Sequence, residues 1–151
     1  MSKNDTSIIK NILNRVDSNK IGIFSKTPEP IVILNNRISK IVGDNTVYIT
    51  EFIIAKIKGK IITNKGHPEI TDDIFCSIPQ TLNTPHGIYL DNRVIDRTKY
   101  LFVNFSPPHH IVIEIRRIET GKTEINSIIP LGRKTLKQLE NKFQAVYSHL
   151  Y

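Results

Sequence analysis

The chain has a single cysteine and no tryptophan among its 151 residues. One cysteine, Cys76, excludes an intramolecular disulfide and any zinc cluster built on cysteines. It sits in the apolar run IFCSI, which reads as a buried, inert thiol. No apolar run approaches the roughly 18 residues that cross a bilayer. The opening stretch MSKNDTSIIKNILNRVD lacks the apolar core of a signal peptide. The chain is therefore expected in the cytoplasm, away from membranes, with export by a route that needs no cleavable signal left open. There is no GxGxxG, P-loop or GxSxG motif, so nucleotide-dependent and serine-hydrolase chemistry lose most of their support. There is no HExxH or CxxC spacing either. No metal and no cofactor is expected.

What the chain does have is globular composition and an excess of positive charge. Hydrophobic residues make up 39% and charged residues 23%, enough apolar material for one core and too much for disorder. Lysine and arginine number 21 against 14 acids, a formal net charge of +7. A basic domain of this size attracts polyanions: nucleic acid, an acidic partner or an anionic membrane. The abundance of isoleucine, asparagine and lysine also fits an A+T-rich genome, and no function is read from it.

Hydrophobic periodicity divides the chain in two. Residues 6–17 predict an amphipathic helix with Ile8, Ile9, Ile12, Leu13 and Val16 on one face, capped by Asp5 or Thr6. Thr27-Pro28-Glu29-Pro30 is a stiff connector. Ile31–Leu34 and Val47–Ile49 are β-prone, with a helical turn at Arg37–Val42 between them. Thr50 caps a helix through about Lys60, whose second half carries Lys56, Lys58 and Lys60 where the helix dipole favours cations. A short helix follows Thr71 and is expected to end at Pro79. From there the period changes to two. Residues 99–105, 111–117 and 124–129 read as strands, with Ile111, Ile113 and Ile115 on the core side of the middle one. In the last, Ile125, Ser127 and Ile129 are expected on one face. Residues 133–148 are expected to form a C-terminal helix presenting Leu136, Leu139, Phe143 and Val146 or Tyr147. The result is an α+β domain: N-terminal helices, an antiparallel meander, and a closing helix. Residues 1–45 could form a small subdomain ahead of the main domain at 46–151.

Several residues could carry chemistry on RNA. Cleavage without a metal needs a base for the 2′-OH, an acid for the leaving 5′-oxygen, and cations for the charged phosphorane. Histidine suits the first two roles, arginine and lysine the third. His67, held in a Gly-His-Pro-Glu turn, is the acid–base candidate; a histidine packing a helix start is the plainer alternative. Arg116, opposite the isoleucines, could grip a phosphate or serve as a cross-strand partner to acids such as Glu114. Arg93, Lys56, Lys60 and Lys99 are further cations. Ser127 could hydrogen-bond a phosphate oxygen, and Tyr100 and Phe102 could stack bases or pack in the core. His109-His110 read as a solvated loop pair.

The order of these features resembles the phage-associated branch of the barnase, EndoU, colicin and RelE-like (BECR) nucleases. The matching stretches are EFIIAKIKGK, GHPEI, IPQTLNTPHGIYLDNR, KYLFVNF, HIVIEIRRI and EINSIIPLGRKTLKQLE, which together cover about residues 47–142. The resemblance implies N-terminal helices against an about four-stranded antiparallel sheet. It implies a metal-independent endoribonuclease acting as a toxin or phage-conflict effector. An acidic antitoxin or immunity protein is the implied partner besides RNA. Carried over by position, the helical role falls to His67, with Lys56 where some relatives have a second histidine. The sheet roles fall to Arg93, Arg116 and Ser127. Two other readings of the same residues stay open: a nucleic-acid-binding module without catalysis, and an interaction domain of a mobile element.

Overall fold

A computed structural model describes residues 6–62, 65–91, 98–105, 110–118 and 121–148. The first helix, α1 (Ser7–Ser18), buries Ile9, Ile12, Leu13 and Val16, the stripe its spacing predicts. Strand β1 (Glu29–Ile33) leads into α2 (Asn36–Val42), where the Asn35 side chain accepts from Ile38 N and Gly43 ends the helix at φ 85°. Strand β2 (Thr46–Ile49) returns antiparallel to β1, and Pro30 is confined to this outermost strand, where a missing N–H does least harm.

Helix α3 (Glu51–Ile57) starts at Thr50, whose hydroxyl accepts from Ile53 N. It closes in a Schellman motif: Lys60 N donates to Ala55 O at 2.9 Å and Gly59 N to Lys56 O at 3.2 Å, with Gly59 at φ 76°. Pro79 does not stop the helical region. It lies in the first turn of a second short helix, α5 (Ile78–Asn83), directly after α4 (Asp72–Cys76). Proline is tolerated there because the N–H it lacks has no helical partner.

Strands β3 (Gly87–Asp91), β4 (Lys99–Asn104), β5 (Ile111–Arg117) and β6 (Thr123–Pro130) form the expected antiparallel meander. The sheet is larger than four strands, however. Its order is β1-β2-β6-β5-β4-β3-β7, with β2 and β6 parallel. The seventh strand corrects the C-terminal helix: α6 (Arg133–Lys142) stops at Phe143, and β7 (Gln144–Ser148) pairs antiparallel with β3. The aromatic and β-branched run Phe143–Tyr147 fits a strand as well as a helix, and the unpaired edge of β3 decides between them.

The two faces of the sheet differ. Ile113, Ile115, Phe102, Ile88, Ile125 and Ile128 point to one side. There they join Ile9, Ile12, Ile54, Phe75 and Ile78 of the helices in the main core. Residues 6–45 contribute to that same core through Ile9, Val16, Ile31 and Ile38. Leu101, Val103 and Val112 point to the opposite side, where, among the described residues, Leu139 of α6 joins them as a buried partner. Helices α1–α5 thus cover one face, and α6 covers part of the other.

In β6 the alternation slips. Glu114 pairs with Ser127 while the next residue, Ile115, pairs with Ile125, so Asn126 is the extra residue of a β-bulge. Ile125 and Ile128 therefore face the main core, and Ser127 and Ile129 face away from it. Strict alternation from Ile125 placed Ser127 in the isoleucine row; the bulge moves it out. Chemical denaturation of Ile128→Ala and Ile129→Ala should show this. The fully buried Ile128 should cost about 2–4 kcal/mol and the half-buried Ile129 clearly less. Unbroken alternation requires the reverse order.

Candidate active site on the polar face of the sheet

The register of the meander places chemistry on the face that α6 only partly covers. Asp91, Lys99, Arg116, Glu124 and Tyr48 are successive Cα partners across β3, β4, β5, β6 and β2. Since partners in register point to the same side, these five side chains form one lateral row. The next row, Tyr89, Leu101, Glu114 and Ser127, is mixed. The third, with Val103, Val112 and Ile129, is apolar and carries Leu139. The face thus grades from charged to oily along the strands, and α6 sits at the oily end.

Glu114 is the best-anchored group in the cluster. Its Oε2 accepts from Asn126 Nδ2 at 2.5 Å and from Ser127 Oγ at 3.2 Å, the two residues that the bulge sets opposite it. Its Oε1 lies 3.3 Å from Lys99 Nζ. Contacts from Asn126, Ser127 and Lys99 on one carboxylate fix its direction. Arg116, two residues along on the same face, is half-buried and makes no hydrogen bond or ion pair to a described residue. Arg15, by contrast, is tied to Glu29 and Glu51.

Glu124 is a residue that no sequence pattern singles out. It is 9% exposed, and its Oε2 is buried without a hydrogen-bond partner. Burial pushes its carboxyl above the usual carboxylate range, with Arg116 and then Lys122 pulling the other way. Lys122 itself lies over the Tyr48 ring, 5.1 Å from its centroid. An unsatisfied buried oxygen costs roughly 1–3 kcal/mol, so this position opposes stability, as functional groups commonly do. Only cross-strand register brings Glu124 beside Arg116, eight positions away in the chain, and no local motif announces that.

The structure divides the residues that the sequence nominated. Lys99, Arg116 and Ser127 come together around Glu114. Ser127 Oγ donates to that carboxylate at 3.2 Å. Tyr100 faces the other way and packs against the main core. Its neighbour Phe102 is fully buried there. Arg93 and His109 lie outside the described residues.

His67 and Lys56 belong to the helical layer on the far side of the sheet. His67 N donates to Ile57 O at 2.7 Å, so the turn caps the end of α3. Gly66, at φ 67°, lies so close to that helix end that a Cβ would stand 2.4 Å from Ile57 O and 2.6 Å from Lys56 O. The Gly-His-Pro-Glu turn thus has a packing reason of its own. The His67 ring is partly exposed, with Nδ1 3.7 Å from Glu69 Oε1. Lys56 is exposed, and Lys60 reaches only to 3.7 Å from Asp17. Lys58 is committed to structure: its ammonium bridges Asp17 of α1 at 2.8 Å and Asp72 of α4 at 2.7 Å.

Two other chemistries find little here. Cys76 is half-buried, and desolvation raises its thiol pKa against the pull of Lys10, which keeps it a poor nucleophile. Among the described residues no three His, Cys, Asp or Glu side chains are grouped to hold a metal ion. No described helix is long and apolar enough to cross a membrane.

Two substitutions probe this arrangement. Gly66→Ala should destabilise the fold by about 2 kcal/mol or more, since it adds left-handed strain to a backbone collision; a thermal melt unchanged from wild type would remove the close-packed turn. Glu124→Gln should raise the melting temperature at neutral pH. A carboxyl whose folded pKa is raised favours the fold while protonated, and that contribution is lost as pH rises through the folded value. The advantage of Gln should therefore shrink towards zero below about pH 4, where glutamate is protonated in both states. A wild type more stable than the variant at pH 7 would reverse the sign.

Searches against protein-family models, curated proteins and solved structures found no match for this chain.

Proposed function

We propose that the polar face of the sheet binds RNA and cleaves it without a metal, by attack of a ribose 2′-OH on the adjacent phosphate to leave a 2′,3′-cyclic phosphate. The observation that carries this reading is the grouping of an oriented carboxylate, Glu114, with two neighbouring cations, Lys99 and Arg116, on one face of one sheet. Glu114 accepts the 2′-OH proton. Arg116 and Lys99 draw the phosphate to the row and stabilise the charge that builds on its oxygens. Asn126 and Ser127 keep the carboxylate aimed. The net charge of +7 brings a polyanion to the surface in the first place.

This assignment moves the base from His67 to Glu114, because the base and the phosphate-binding cations must stand within reach of one phosphodiester. The family resemblance supports the reaction class, and a toxin or phage-conflict effector checked by an acidic partner remains the setting it implies.

The test is incubation of purified protein with total tRNA and a long single-stranded RNA in EDTA, with product ends analysed for cyclic phosphate. Wild type should cleave, and Glu114→Gln and Arg116→Ala should each lose about 10²-fold or more. His67→Ala should keep most of the activity. Loss of cleavage in His67→Ala with full activity in Glu114→Gln would return the base to the helical layer. Salt-sensitive RNA binding without scission would leave a binding module only.

A further inference from the structure

We propose that Glu124 is the proton donor of this reaction, protonating the 5′-oxygen as it leaves phosphorus. The inference rests on the cleavage reading above and adds the half of the proton transfer that Glu114 cannot supply. Once Glu114 has taken the 2′-OH proton, the departing 5′-alkoxide needs a proton from a second group, placed across the phosphate from the base.

The row offers one such group on the other side of Arg116. Glu124 is the Cα partner of Arg116 on β6, whereas Glu114 precedes Arg116 by two residues on β5. A phosphate gripped by Arg116 would therefore have one carboxyl along the strand and another across it. The surroundings of the two differ in the way an acid–base pair requires. Glu114 is surrounded by donors, Asn126, Ser127 and Lys99, which suit a carboxylate. Glu124 has a buried Oε2 with nothing donating to it. A carboxyl enclosed in this way loses less to desolvation as the neutral acid than as the carboxylate. The groups facing Glu124 are Arg116 from β5, Tyr48 from β2 and Lys122 from the start of its own strand, with Glu114 diagonal to it. Burial raises its pKa against the pull of Arg116 and then Lys122, and the same two cations would stabilise the carboxylate left when the proton has gone.

The step balances. The 2′-oxygen bonds to phosphorus as its proton passes to Glu114. The P–O5′ bond breaks, and O5′ takes the proton of Glu124. The products are a 2′,3′-cyclic phosphate and a 5′-hydroxyl. Glu114 is left neutral and Glu124 charged, and exchange with water restores both.

The test separates proton donation from mere structure by changing the leaving group. RNA and nucleoside 3′-(4-nitrophenyl) phosphates undergo the same attack, but nitrophenolate leaves without a proton. Glu124→Gln should lose about 10²-fold or more on RNA and less than about threefold on the nitrophenyl esters. With wild type, the rate on RNA should fall on the alkaline side as Glu124 ionises, and that fall should be absent with the esters. The wild-type comparison decides the matter even should the variant fold poorly. Equal losses on both substrates, or no loss on either, would overturn the role of Glu124 while leaving the cleavage reading in place. Wild-type protein that cleaves neither substrate would overturn both together.

Discussion

The register of β5 between β4 and β6 is the constraint on which the rest of the molecule depends. Ile111, Ile113 and Ile115 must lie against the helices, and all three are buried there. That requirement turns Val112, Glu114 and Arg116 to the opposite side. A slip of one residue would bury two charged groups in the core and expose three isoleucines, at a cost of many kcal/mol. The hydrophobic demand of one face therefore dictates the chemistry of the other. The row from Asp91 to Tyr48 exists because five strands are held in step by packing on the far side of the sheet.

The bulge at Asn126 departs from that regularity, and it falls beside Glu114. By setting two residues opposite one, it gives Glu114 both an amide and a hydroxyl donor from β6. It also restores the inward direction of Ile128, so the core loses nothing. A bulge at this place re-aims side chains at a small cost in ladder hydrogen bonds. Burying Glu124 with an unpartnered oxygen is the larger sacrifice, and it is set against a core that runs through every helix from α1 to α5.

The helical layer supplies rigidity. Lys58 joins α1, α3 and α4 through two aspartates, and Gly66 and His67 close the end of α3. The buried Asn83 makes a similar tie between α5 and the start of α2, accepting from Asn35 N and Nδ2 and donating to Ile33 O. The β3–β6 meander is only the middle of the sheet; β1, β2 and β7 extend it at both edges to seven strands, more than the about four that the resemblance implied.

Local spacing was enough to locate α1, the cap at Thr50, the meander strands and the outward direction of Glu114 and Arg116, because each depends on neighbours within a turn or a pleat. It was enough, too, to nominate Lys99, Arg116 and Ser127 as polar residues in apolar strands. It could not choose between helix and strand for residues 144–148, since Phe143, Val146 and Tyr147 satisfy both periods and the vacant edge of β3 lies more than 50 residues away in the chain. It could not attach β2 to β6, a parallel pairing across the whole meander. Nor could it see that His67 belongs to one layer and Arg116 to another, or that Glu124 stands beside Arg116. Those facts follow from which strands pair and in what register, and pairing is decided by the burial of the whole core rather than by any one segment.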